Sequence, residues 1–148
     1  MYKRIVIPTD GSDLSRAAAQ AGVAFAGEQS AEVLGIFVAP EFVNPIYVEM
    51  IPPSEAEYKA ALTRIGQAYL DEIRDDVLAA GLSFTGFIEF SDSPSHEIVA
   101  LAEAHRCDLI FMGSHGHSGL GQLLLGSVTS KVLATCRIPV LVYRTPRP

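Results

Sequence analysis

Short apolar runs alternate with longer amphipathic stretches along the whole chain. Five of the runs are rich in β-branched and aromatic residues and predict strands, several of them apolar without alternation, as in strands covered on both faces. They read RIVIP, EVLGIFV, SFTGFIEF, DLIFMG and PVLVYR. The stretches between them predict four helices. Strict alternation of strands and helices indicates a five-stranded parallel sheet with helices on both faces, the doubly wound α/β class.

Capping signals predict where the helices begin. Ser12 opens the first helix, and Ser54 with Glu57 forms a capping box for the second. Pro94 suits the first turn of the third helix, and Ser127 opens the fourth and can cap it. Helical spacing predicts two buried faces. They comprise Leu14, Ala18, Ala21 and Phe25 in the first helix, and Leu62, Ile65, Tyr69, Ile73 and Val77 in the second, which Gly81 ends.

Length and composition limit the class of protein. The 148 residues fit one domain, 1–148, without a repeat or linker. No apolar run approaches the ~20 residues of a membrane span, and the N-terminus lacks the pattern of a signal peptide, so we expect a soluble, cytoplasmic protein. The net charge of -6 argues against nucleic-acid or membrane binding. Cys107 and Cys136 stand in no metal or redox spacing and predict packed, reduced thiols.

The stretch MGSHGHSGLGQLLLGS, residues 112–127, holds five of the chain's twelve glycines. It leads from a predicted strand to a predicted helix N-terminus, where unpaired backbone N–H groups bind anions and glycine lets a phosphate approach closely. The Ser127 and Thr129 hydroxyls can add donors. A P-loop is excluded because no Gly-Lys-Ser/Thr occurs, and Leu124 breaks the dinucleotide fingerprint. The stretch therefore predicts a phosphate-binding loop of another kind, the alternative being glycines that only build turns.

The spacing Gly113, two residues, Gly116, nine residues, Gly126 and Ser127 resembles the ATP-binding signature of the universal stress protein family. The stretches RIVIPTDGSDLS, CDLIFMGSHGHSGLGQLLLGSVTSKVL and IPVLVYR resemble that family too. The resemblance implies a flavodoxin/Rossmann-like fold of the adenine nucleotide alpha hydrolase-like type. It also implies an ATP-binding regulatory protein of the stress response, with Mg²⁺ bridging the phosphates and no metal ligand from the protein.

The resemblance further implies roles for single positions. Asp10 is similar to the family's carboxylate near the ribose, with Pro8 and Thr9 on the same edge, and Val38 to the residue whose backbone reads adenine. The other predicted ATP-binding residues are Met112 and Gly113, beside the sugar and base, and Ser114, His115, Gly116, His117, Gly126, Ser127, Val128 and Thr129, around the phosphates. His117 stands where relatives often carry arginine, which predicts a weaker or pH-dependent contact to the terminal phosphate.

Three alternatives remain open from the residues alone. A slow ATP hydrolase would use Asp10, His115 or His117, although we predict no catalytic residue and at most weak ATPase activity. A dimeric interaction module would have lost its ligand. A zinc site at His115 and His117 would need a third ligand, and none is evident.

Two further segments carry expectations about partners. The proline-rich connection from Ala39 to Glu55 holds several large apolar residues and can fold over the nucleotide as a lid, present an apolar patch or cover the sheet. The resemblance implies a homodimer formed by the last strand, Pro139 to Arg144. A downstream protein partner is expected, and its identity is not predicted.

Overall fold

A computed structural model describes residues 1–44, 53–115 and 125–146. Strands and helices alternate strictly along these residues, as predicted. They are β1 (Arg4–Pro8), α1 (Asp13–Gln29), β2 (Glu32–Ala39), α2 (Glu55–Ala79), β3 (Phe84–Phe90), α3 (Pro94–Ala104), β4 (Leu109–Gly113), α4 (Ser127–Thr135) and β5 (Val140–Tyr143). The predicted α/β class is therefore confirmed.

The five strands form one parallel sheet in the order β3-β2-β1-β4-β5. This is the Rossmann order, and it differs from the 2-1-3-4-5 order of flavodoxin. The chain winds outward from β1 to β3 and then returns to β4 on the other side of β1. The winding direction thus reverses between β1 and β4, and the carboxyl ends of these two strands form the crevice where such sheets bind ligands.

Helices cover both faces of the sheet because alternate strand residues point to opposite sides. Ile5 and Ile7 of β1 pack with α1 and α2, whereas Val6 packs with α3 and α4. All three side chains are fully buried. The central strand is thus apolar on both faces, which explains its run of apolar residues without alternation.

The buried face of α1 agrees with the prediction at Ala18, and Ala21 and Phe25 are partly buried against the core, but Leu14 departs from the prediction. The residues facing the sheet include Ala18, Gly22 and Ala26, while Leu14 is 36% exposed. A Cβ on Gly22 would stand 2.9 Å from Cδ1 of Ile7, so the stripe of small residues brings the helix close to the sheet. Leu14, in the first turn, therefore lies outside the contact between the helix and the sheet.

The buried face of α2 also departs from the prediction at one position. Ile73 and Val77 are buried as expected, but Ile65 is 43% exposed. The sheet side of that turn is occupied by Gly66, against which Phe37 of β2 packs so closely that a Cβ would overlap its ring. Gly66 and Phe37 therefore set how α2 lies on the sheet.

Most predicted caps are present. The Ser12 side chain accepts a hydrogen bond from the Ser15 N–H, and that of Ser54 accepts one from the Glu57 N–H at 3.1 Å. Gly81, with φ of +76°, follows the end of α2. The prediction for the fourth helix was wrong in one respect, because the cap of α4 is Gly126 and Ser127 is its first residue.

Part of the predicted lid, residues 45–52, lies outside the described residues. The flanking parts pack on the start of α2: the Tyr58 hydroxyl donates to the Pro40 carbonyl at 2.6 Å, and the Phe42 ring lies 5.5 Å from that of Tyr58. Both cysteines are free thiols. Among the described helices none is both long and apolar enough to cross a membrane.

Candidate functional site

A cavity of about 300 Å³ opens at the carboxyl ends of β1, β2 and β4, where the winding reverses. Its volume is at the lower end of the range of small-molecule sites. Eleven predicted site residues line it together with four that were not predicted. The lining residues are Pro8, Thr9, Asp10, Ser15, Ile36, Val38, Pro94, Ile98, Met112, Gly113, His115, Gly126, Ser127, Val128 and Thr129.

The remaining predicted residues are placed as follows. Ser114 lies next to the wall, where its N–H donates to the Tyr143 carbonyl at 2.9 Å and its carbonyl accepts from the Gly126 N–H at 2.6 Å. It therefore ties the end of β4 both to β5 and to the start of α4. Gly116 and His117 lie outside the described residues.

One end of the cavity is apolar. Ile36 and Val38 project from β2, Met112 from β4, and Pro94 and Ile98 from α3. Ile36 was not predicted as a site residue, although its two-residue spacing from Val38 puts both on one face of the strand. Pro94 and Ile98 carried no local signal, because only the packing of α3 over this face of the sheet brings them there. This end suits a flat apolar group such as a nucleobase.

The backbone of Val38 is turned toward the cavity. The Ile36 carbonyl accepts a hydrogen bond from the Thr9 N–H at 2.9 Å, and backbone groups two residues apart on a strand point in the same direction. The N–H and C=O of Val38 therefore point to the same side, beyond Pro8, where β1 ends. A donor and an acceptor at this position match the edge of an adenine ring.

The turn after β1 is held in shape by its own side chains. Oδ1 of Asp10 accepts from the Ser12 N–H at 3.0 Å and from the Ser12 hydroxyl at 2.6 Å. The Ser15 hydroxyl accepts from the Asp10 N–H at 3.1 Å and donates to the Thr9 hydroxyl at 3.2 Å. A carboxylate has about four acceptor positions, and the N–H and hydroxyl of Ser12 use two of them.

The N-terminus of α4 forms the opposite end of the cavity. Its cap, Gly126, has no side chain and makes no side-chain cap hydrogen bond to the first turn. The N–H groups of Ser127, Val128 and Thr129 belong to that first turn, which has no intrahelical acceptors for them. A bare glycine cap beside a cavity favours an anion, with which the positive end of the helix dipole interacts.

Two contacts fix this helix end. The Thr129 hydroxyl donates to the Gly113 carbonyl at 2.8 Å, so its proton joins α4 to β4 and is not available as the predicted donor to a phosphate. A Cβ on Gly126 would stand 3.1 Å from the Ser114 carbonyl oxygen and 3.2 Å from Cα of His115. A side chain here would therefore press against the backbone of the preceding loop.

His115 lies between the glycine cap and the cavity. Its Nδ1 is 3.0 Å from the Ser114 hydroxyl, while its Nε2 is buried and has no hydrogen-bond partner among the residues that the structure describes. An unsatisfied buried polar atom is costly unless a ligand or water completes it. His115 is therefore suited to contact a bound anion.

The cavity holds few charges. Asp10 and His115 are the titratable side chains among its lining residues. Arg16 points elsewhere, because its guanidinium bonds to Glu72 at 2.7 Å and to Asp13 at 3.1 Å, and the hydrogen bond to Glu72 raises the pKa of Arg16 above its ordinary value. Among the described residues, no three histidine, cysteine or acidic side chains form a metal site.

Comparison with known proteins agrees with this architecture. The model of the universal stress protein family matches residues 1–144. Universal stress protein MJ0531 of Methanocaldococcus jannaschii is 38% identical over 151 residues, which cover 99% of this chain and 85% of that protein. The solved structure of protein MJ0577 from the same organism superposes with a TM-score of 0.84 at 31% identity, covering 100% of this chain and 99% of the other.

A universal stress protein solved in complex with cAMP has a TM-score of 0.71 and 25% identity, and 98% of each chain is covered. The matches extend over nearly the full length of both partners, and they include the glycine stretch and the turn after β1. The chain therefore belongs to the universal stress protein family.

Proposed function

We propose that this protein binds an adenine nucleotide, with ATP as its ligand, and acts as a nucleotide-responsive regulator in stress adaptation. The observation that carries the proposal is the bare glycine cap of α4 at one end of a cavity whose other end is apolar. A nucleotide combines these two chemistries in one molecule. The complex of a related universal stress protein with cAMP supports the same ligand class.

Each part of the nucleotide has a matching wall. The base lies among Ile36, Ile98 and Met112, where the Val38 backbone offers it one donor and one acceptor. The ribose hydroxyls donate to the Asp10 carboxylate. The apolar walls exclude water from the base, which strengthens the few polar contacts that distinguish adenine from guanine.

The phosphates lie against the first turn of α4, where they accept from the N–H groups of Ser127, Val128 and Thr129, and from Nε2 of His115. Gly116 and His117 complete this group in the proposal. The chemistry of Mg²⁺ fits phosphate oxygens better than these walls, which offer Asp10 as their acidic side chain. Magnesium would therefore be held by the phosphates, neutralise part of their charge and leave the backbone N–H groups to orient them.

Regulation, rather than turnover, is the role we assign. Rapid phosphoryl transfer needs a cation near the terminal phosphate and a group that positions water. Residues 113–127 contain no arginine or lysine, and Arg16 is engaged by Glu72. A slow ATP hydrolase is the second candidate, and the observation that favours it is the buried, unpaired Nε2 of His115 at the cavity wall. We further propose a cytoplasmic homodimer, paired along β5, that signals to a downstream protein.

The direct test is to denature the purified protein and identify the released small molecules by mass spectrometry. Protein stripped of ligand is then titrated calorimetrically with ATP, GTP and tripolyphosphate. We expect released adenine nucleotide, and ATP affinity at least about tenfold above that for GTP because the Val38 backbone distinguishes the two bases. Absence of adenine nucleotide from the denatured protein, together with no heat of ATP binding, would contradict the proposal.

A further inference from the structure

Gly11 lies on the outer side of the turn that carries Asp10, and the ring of Tyr69 from α2 packs directly on it. A Cβ on Gly11 would overlap three ring carbons of Tyr69. Gly11 also has φ of +78°, a conformation that residues with a Cβ rarely adopt. The Tyr69 ring of α2 therefore occupies the space that a side chain on residue 11 would fill.

The other side of the same turn faces the nucleotide cavity. Thr9 and Asp10 line that cavity, and the Gly11 N–H donates to the Thr9 hydroxyl at 3.2 Å. Thr9 also lines a second cavity, of about 320 Å³, whose wall includes Tyr69. One short stretch of backbone thus separates the Tyr69 ring from the proposed ribose position.

Tyr69 reaches the base end of the cavity through a second contact. Its ring lies 5.5 Å from that of Phe37, edge to face at 78°, and Phe37 is 6% exposed and seated against Gly66. Phe37 stands in β2 between Ile36 and Val38, which line the cavity from the opposite face of the strand. The ring of Tyr69 therefore touches the back of both the ribose turn and the strand that reads the base.

An ion pair joins α2 to α1 one turn beyond Tyr69. Nε of Arg16 in α1 lies 2.7 Å from a carboxylate oxygen of Glu72. Both side chains are about half exposed, so the pair contributes little to stability by itself. The contact between α2 and the turn after β1 that bears on the cavity is the packing of the Tyr69 ring on Gly11.

We infer that Tyr69 is a positioning residue, which holds the Asp10 turn and β2 at the separation that an adenosine moiety requires. The inference rests on the proposed nucleotide function and adds α2 to it. Because coupling is reciprocal, a bound nucleotide also strengthens the docking of α2. A protein that displaces α2 would in turn release the nucleotide, which connects the cavity with the outer surface.

The first test compares Tyr69→Leu with Tyr69→Phe, which retains the ring. Affinities for ATP, adenosine and tripolyphosphate are measured by calorimetry. For Tyr69→Leu we expect ATP and adenosine to bind at least about fivefold more weakly, by a common factor, and tripolyphosphate to bind as it does to the natural protein. Tyr69→Phe should bind all three normally. Equal losses for all three ligands, or no loss, would overturn the inference.

Val77→Ala is the matched control. Val77 is fully buried in α2, two turns beyond Tyr69, and belongs to a different part of the core. Its truncation weakens the docking of α2 without touching the Gly11 turn. If Val77→Ala lowers adenosine affinity as much as Tyr69→Leu at equal loss of thermal stability, Tyr69 acts only through stability and the inference is wrong.

The second test needs no ligand. Hydrogen exchange of the Gly11 and Ser12 amides should be faster in Tyr69→Leu than in Tyr69→Phe or Val77→Ala, because the ring no longer covers the turn. Gly11→Ala should loosen the turn, and Tyr69→Leu added to it should restore part of the protection by removing the overlap. Unchanged exchange contradicts the positioning role even if the protein binds ATP. If the exchange rates change as expected in these variants but the protein binds no ATP, the proposed function is rejected and the contact of Tyr69 with the turn is not.

Discussion

At the scale of single residues, the absence of a side chain determines much of the site. Gly126 caps α4 without a side-chain hydrogen bond, and a Cβ there would press on the backbone of Ser114 and His115. The lack of a side chain at Gly11 likewise lets the ring of Tyr69 pack directly on the backbone. In both places a glycine lets a second group approach the backbone, and the group is a proposed phosphate in one case and an aromatic ring in the other.

Gly126→Val tests the phosphate end. The valine would fill the approach to the helix end and remove at least two N–H contacts to phosphate, each about 1.5–3 kcal/mol for a charged acceptor. We expect ATP affinity to fall by about a hundredfold or more. Gly27→Val is the matched control, because a Cβ on Gly27 meets no atom within 4 Å. Calorimetry measures affinity and thermal melting checks the fold, and undiminished ATP binding by folded Gly126→Val would contradict the assignment.

The two thiols should differ in reactivity. Burial raises the pKa of Cys107 to about 11 from 9.0, and the side chain is 5% exposed. Since the thiolate is the reactive form, roughly one Cys107 in a thousand is reactive at pH 8. We expect iodoacetamide to label the half-buried Cys136 first, and Cys107 to react increasingly as the pH rises toward 11. The folded state holds the thiol proton of Cys107 more tightly than the unfolded chain does. Its contribution to stability is therefore present below pH 9.0 and is lost as the pH rises toward about 11. Mass spectrometry of timed samples would reveal the opposite order if Cys107 were accessible.

At the scale of elements, β5 leaves one edge of the sheet open to pairing with another chain. β5 is an edge strand of four residues, all half-buried, and Val140 and Leu141 pack on the two core faces of their own chain. Lysines at these two positions would therefore unfold the monomer as well as any dimer. The backbone is the better target. The Pro139 carbonyl accepts from Ile110 of β4 and the Tyr143 carbonyl from Ser114 just beyond it, so the backbone groups of Val142 point to the open edge.

Val142→Pro removes one outward N–H and leaves the ladder with β4 intact. Proline is tolerated on an edge strand when its missing N–H faces outward. If two copies pair along β5, we expect Val142→Pro to give a folded monomer, while Val142→Ala, which keeps the N–H, remains a dimer. Light scattering at micromolar concentration measures the mass. A monomeric natural protein, or a dimeric proline variant, would reject pairing along this strand.

At the scale of the whole molecule, the sheet order brings three distant parts of the chain to one crevice. The turn after β1, the end of β2 and the start of α4 meet where the winding reverses. Among the described residues that line this crevice there is no lysine or arginine, and Arg16 pairs with Glu72 and lines the second cavity instead. If the proposed nucleotide binds there, this lining favours holding it over hydrolysing it quickly.

We accordingly predict slow turnover. With excess ATP and Mg²⁺, phosphate release should be at least a hundredfold below the ~10 per second typical of enzymes. Asp10→Asn is the control, because an amide oxygen can still accept from Ser12 while the charge is lost. Sustained turnover near the typical rate, abolished in Asp10→Asn, would favour the hydrolase over the regulator.

The sequence by itself determined the order of strands and helices, the parallel sheet and the glycine stretch beside a helix N-terminus. These follow from local patterns: apolar runs, capping residues such as Ser12 and Ser54, and glycines at fixed spacing. The predicted phosphate-end residues Gly126, Val128 and Thr129 line the cavity because they adjoin one helix end that the sequence marks clearly.

The tertiary structure alone decided which faces pack and which distant groups meet. Leu14 and Ile65 lie exposed because Gly22 and Gly66 bring their helices close to the sheet, and close approach outweighs the size of an apolar side chain. Ile98 enters the cavity, and Tyr69 reaches Gly11, only because separate helices are docked on opposite faces of one sheet. Periodicity predicts which residues share a face, but the partner of that face depends on contacts between segments far apart in the chain.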